Sequence, residues 1–206
     1  VTAHAPLPVE PAKAPRRYAG VSIALHWIIA ALVALQLGLG WYMNEVAPDH
    51  SPQQDQIQDI HVEFGLLLLI LVVARILGRF IWRAPRMEAG LAPWERVLAQ
   101  SVHYLLYALI LVLPLFGWAL LTARHEKIEF FGIPWPAMPG FLAVAGSHAK
   151  AWGHTLKSLH IYWLIWAILI ALFFHVGGAL KHQFDGHPVL WRMVPFLKKP
   201  ANARET

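Results

Sequence analysis

Four long apolar runs dominate the chain, at about residues 21–43, 60–81, 97–121 and 159–180. Each is roughly the 20 residues that cross the hydrocarbon core of a bilayer. A soluble helix of that length carries a polar stripe, and these runs mostly lack one. The pattern predicts an all-α membrane protein, a bundle of four transmembrane helices. Polar, Pro-rich and Gly-rich stretches separate the runs and mark the connections.

Composition narrows this reading. The 206 residues are 57% hydrophobic and include no cysteine, which excludes disulfides, iron–sulfur clusters and thiolate zinc sites. The opening VTAHAPLPVEPAKAPRRYAG lacks the apolar core of a signal peptide. Residues 1–17 read as a disordered cytoplasmic tail, 18–193 as the membrane domain and 194–206 as a second cytoplasmic tail.

The net charge of +5 would suggest nucleic acid for a soluble chain. Here the cations sit at the ends of the apolar runs, which reads as topology in lipid, with no nucleic-acid partner. Lys13, Arg16 and Arg17 precede the first run. Arg75, Arg79, Arg83, Arg86 and Arg96 flank the link between the second and third. Lys181, Arg192, Lys198, Lys199 and Arg204 follow the fourth. The other side has Arg124, Lys127, Lys150 and Lys157. Both termini are therefore expected on the cytoplasmic side. The outer 1–2 connection is acidic, with Glu45, Asp49, Asp55 and Asp59. The outer 3–4 connection, residues 122–157, contains FFGIPWPAMPG, whose prolines and glycines forbid a continuing helix. Its Phe131 and Trp135 suit the membrane interface.

The segment LFFHVGGALKHQF places His175 and His182 seven residues apart, on one helical face of an otherwise apolar run. Sorted by depth, the histidines form levels. His26, His103 and His175 share an inner level, and His61 and His160 an outer one. His160 and His175 lie fifteen residues apart, about 22 Å along a helix and about 60° in azimuth, so one helix can serve both levels. Interhelical hydrogen bonding is the plain role for such residues, and a proton relay is another. Depth-matched pairs without carboxylates favour a cofactor. Zinc normally takes four protein ligands. Two facing imidazoles suit a haem iron held on both axial faces. Gly177 and Gly178 would let a flat macrocycle approach, or simply let helices pack. Arg75 and Arg79, one turn apart, are candidates for the haem carboxylates, or for snorkelling anchors.

IALHW, IHVEFG, VHYLLYALILVLPLFGW and HVGGALKHQF with the later LWRM resemble the bacterial cytochrome b561 family over residues 18–193. The resemblance implies two haem b groups in the bacterial cytoplasmic (inner) membrane, passing electrons from a periplasmic donor to ubiquinone or a similar membrane quinone. Some members oxidise superoxide and others serve as electron-relay subunits of larger complexes, so enzyme and partner-subunit readings both stand. Carried over by position, His26 and His175 would ligate the inner haem iron, with His103 as the alternative. His61 and His160 would ligate the outer one. His182, with Lys181, would line a quinone pocket. The His160–His175 spacing is one residue longer than the family pattern, which keeps His154 as a second candidate for the outer ligand. The acidic outer connection favours a cationic protein donor over the superoxide anion. A non-haem transporter is the remaining rival.

Overall fold

Helices form where the apolar runs lie but reach past them. The computed structural model describes residues 17–82, 85, 91–186 and 188–198. Residues 1–16 of the expected tail at residues 1–17, together with Arg83, Arg86, Lys199 and Arg204, lie outside the described residues. The long helices are α1 (Gly20–Glu45), α2 (Pro52–Ile81) and α3 (Pro93–Ala123). The fourth is built from α5 (Ala149–Ser158), a π-helical turn (Leu159–Leu164) and α6 (Ile165–Phe184). Between α3 and α5 come β1 (Glu129–Phe130), β2 (Ile133–Pro134) and the single-turn α4 (Phe141–Ala145). All four helical rods are long and apolar enough to cross a membrane.

The overshoot has local causes. Ser51 Oγ accepts from the Gln54 amide at 3.1 Å and Pro52 opens α2, so this helix starts eight residues before its apolar run. Pro93 opens α3, and Glu95 reaches back to the Ala92 amide at 3.1 Å. Pro114 sits inside α3, where it removes one helical hydrogen bond, a loss that neighbouring helices make tolerable within a membrane. The 3–4 connection is not irregular throughout, because its last residues form α5, an outward extension of the fourth helix.

α1 packs on α2, α2 on α3, and α3 on α5 and α6. The shared core is aliphatic: Ile29, Leu32, Val33, Leu68, Val72, Leu109, Ile168 and Ala171. Both described ends of the chain meet at the inner end of the bundle. There Arg17 donates to the Val194 carbonyl and Trp27 Nε1 to the Met193 carbonyl, the latter at 2.8 Å. This is the same-side arrangement expected of an even number of spans.

At the outer end a short hairpin folds onto the bundle. Phe131 and Gly132 both have positive φ (49° and 78°), as a two-residue turn of matching twist requires. Gly132 takes this conformation without strain, and Phe131 is held in it by ring contacts to Phe64 (5.6 Å) and Phe130 (4.9 Å). Trp118 Nε1 donates to the Pro136 carbonyl at 2.9 Å, and the Met138 amide donates to Thr122 Oγ1 at 2.9 Å. The hairpin is thereby fastened to the outer end of α3.

Candidate functional site

The bundle brings the sequence-predicted histidines together at two depths. At the inner level, His26 of α1 faces His175 of α6 with ring centroids 6.1 Å apart. His103 of α3 lies beside them, 5.0 Å from His175, and its Nδ1 donates to the Ala99 carbonyl one turn back. Arg75 of α2 turns into the same level. It donates to the Ser22 carbonyl at 2.7 Å, and its guanidinium lies 5.9 Å from the centre of the Tyr107 ring. Arg79, one turn on, is exposed.

At the outer level, His61 of α2 faces His160 with ring centroids 6.2 Å apart. The Nδ1 atom of His61 is buried and has no hydrogen-bond partner among the described residues. Two glycines of neighbouring helices make room for these rings. A Cβ at Gly40 would lie 3.6 Å from His61 Cε1, and one at Gly117 would lie 3.5 Å from His160 Cε1. His154, the second candidate, is exposed on α5.

His160 owes its aim to the π turn. An i→i+5 turn takes one residue more than an α turn, and such turns occur often at functional sites. It alters the angle between His160 and His175 by about one residue's rotation, roughly 100°. The turn begins one residue before His160, whose imidazole meets Gly117 and His61.

Between the levels the bundle is filled by hydrocarbon. Val72 is 0% and Ile168 1% exposed, with Leu32, Val33, Leu68 and Leu109 around them. Along the outside of α6, Leu169, Leu172, Phe173, Val176, Gly177 and Leu180 line an apolar groove of about 420 Å³. A Cβ added at Gly177 or Gly178 would meet nothing within 4 Å. These two glycines therefore do not serve close helix packing among the described residues.

At the inner mouth, Lys181 Nζ donates to Glu95 and to Asp185, each at 2.8 Å, tying α6 to the start of α3. His182 beside it is half-buried. Sequence reasoning did not single out Gln36, Gly40, Gly65 or Gly117. The available signal was a lone amide and small residues interrupting apolar runs.

Among the described residues no group of three or more His, Cys, Asp or Glu could hold a metal ion. The chemistry on offer is two facing imidazoles at each of two depths in a membrane bundle. That combination defines a class, the multi-pass membrane proteins with paired intramembrane histidines. The chain belongs to the prokaryotic cytochrome b561 family, whose model matches residues 17–196. It is 32% identical to cytochrome b561 homolog 2 of Escherichia coli over 181 residues, 87% of this chain and 92% of that protein. It is 28% identical to cytochrome b561 homolog 1 of the same organism over 188 residues, 88% and 99% of the two chains. It is also 25% identical to a probable superoxide oxidase CybB of Yersinia pestis over 186 residues, 87% and 97%. The chain is thus a multi-pass bacterial membrane cytochrome of b type, working in electron transfer, and its family implies haem b.

Proposed function

We propose that this protein holds two haem b groups and passes electrons from a donor at its outer face to a quinone in the membrane. His26 and His175 hold the inner haem iron, and His61 and His160 hold the outer one. A haem held on both faces supplies one-electron transfer at its iron and leaves no position for oxygen to bind. The carrying observation is the ring spacing, 6.1 Å for one pair and 6.2 Å for the other. At a metal–nitrogen distance of about 2 Å, that spacing would leave room for one iron between the two rings of each pair.

The side chains divide the remaining work. Arg75 places a cation at the inner level, where it suits a haem carboxylate, and the exposed Arg79 suits one only at the rim. The open space beside Gly177 and Gly178 favours macrocycle clearance over helix packing. The apolar groove on α6 runs to Leu180, next to Lys181 and His182. It suits an isoprenoid tail, with the quinone head meeting His182 and Lys181 at the interface. The apolar, closely packed layer around Val72 and Ile168 argues against a histidine proton relay and so against a proton-coupled transporter.

Lipid and quinone surround the spans, and the bacterial cytoplasmic (inner) membrane is the proposed location. At the outer face Glu45, Asp49, Asp55 and Asp59 favour a cationic protein donor. A second reading, superoxide as donor, is favoured by the likeness to the Yersinia pestis protein. In that case two superoxide anions are oxidised to dioxygen, while one quinone takes two electrons and two protons to become quinol. Quinol production by the isolated protein from superoxide separates this from a relay subunit that needs a partner. The test of the whole reading is a reduced-minus-oxidised spectrum with haem quantified per chain. Two b-type haems are expected, and none would end the proposal.

A further inference from the structure

An amide in α1 is turned onto the outer histidine pair. Gln36 Nε2 donates to the backbone carbonyl of His61 at 2.8 Å. The contact depends on Gly65, one turn beyond His61, because a Cβ there would stand 2.9 Å from that same Nε2. One turn beyond Gln36, Gly40 receives the Cε1 edge of the His61 ring. One face of α1 thus supports both the backbone and the imidazole of His61. Two polar atoms remain unmet at this place. Gln36 Oε1 and His61 Nδ1 are both buried without a hydrogen-bond partner among the described residues. An imidazole that binds metal through Nε2 keeps its proton on Nδ1 and donates it to an acceptor, which makes the ligand more basic. The Gln36 amide is anchored on the carbonyl of that very residue, and its Oε1 and His61 Nδ1 are not bonded to one another in this structure.

We propose that Gln36 is the positioning residue of the outer haem. Its Nε2 fixes the His61 backbone, and its Oε1 is the acceptor that the Nδ1 proton takes up when the imidazole holds iron. This inference rests on the reading of His61 as a haem ligand. It is tested by redox titration of the purified holoprotein, with the outer transition identified as the one missing from His61→Ala. Gln36→Met keeps the side-chain length and removes both hydrogen-bonding atoms. It should retain two haems and leave the inner transition in place. Loss of the acceptor weakens electron donation by the imidazole and favours the reduced iron. At a fixed ambient potential the reduced-to-oxidised ratio of the outer haem should rise about tenfold, or roughly 59 mV for one electron. Gly65→Ala, which displaces the amide without removing it, should move the same transition the same way. If Gln36→Met does not hold the outer haem, Gly65→Ala decides by that shift. An outer transition that stays put, beside two intact wild-type transitions, overturns the role of Gln36 alone. A wild-type protein without two b-type transitions ends the di-haem reading itself.

Discussion

The ring centroid of His103 lies 5.0 Å from that of His175, which would leave little room for an iron between the two rings. His26, at 6.1 Å, has the wider separation. His26→Ala is therefore expected to reduce the haem content from two per chain to one. His103→Ala should keep both haems, with at most a shift in the inner spectrum. Pyridine haemochrome quantification of the two purified variants checks this, and the opposite pattern would move the inner ligand to His103.

The outer pair gives a parallel expectation. His160→Ala should lose one haem, whereas His154→Ala, altering an exposed residue of α5, should lose none. Two haems in the first variant, with unchanged low-spin spectra, would transfer the role to His154.

Glycine replacements separate clearance for a cofactor from packing of helices. Gly178→Leu meets no atom of the described residues within 4 Å of its Cβ, so helix content and yield should stay at the wild-type level. Haem loading at the inner level should nevertheless fall at least several-fold. Gly117→Leu drives into His160 and should release the outer haem instead. Circular dichroism together with haem-to-protein ratios reads both effects.

His182 tests the quinone site. With both haems in place, His182→Ala should raise the KM for a short-chain quinone about tenfold, the loss of about one charged or well-aligned hydrogen bond. An unchanged KM and an unchanged reduction rate would remove His182 from the site.

At the outer face, reduction by a basic redox protein should slow as salt is added, because exposed charges are screened over about 10 Å at 0.1 M. The triple variant Asp49→Asn, Asp55→Asn, Asp59→Asn should lower the second-order rate several-fold further in stopped-flow measurements. Fast reduction by superoxide that also slows with salt would point to a positive local patch and retire the protein donor.

The helices were legible because hydropathy alone decides which segments enter lipid. Their ends were less so, since Ser51 and Pro52 extend α2 through polar residues that hydropathy discards. The histidine levels were legible from depth, a quantity that sequence spacing carries directly. Which neighbour each ring meets was not, because that depends on the azimuth of every helix. The six residues LHIYWL look like any apolar helical stretch, yet they form the π turn that aims His160. The bond from Gln36 to the His61 carbonyl joins residues 25 positions apart through a backbone atom, which no side-chain pattern announces.

The hydrocarbon layer at Val72 and Ile168 has an energetic consequence for the living membrane. On the proposed reading electrons cross this layer inward without protons, while the protons of quinol formation enter at the inner end. Each turnover then separates charge across the bilayer. Carrying one charge through the whole membrane field is worth about 2.3 kcal/mol per 100 mV. With the cytoplasm negative, inward transfer runs uphill in voltage. The protein should therefore work fastest in a de-energised membrane and be restrained by the respiration it feeds.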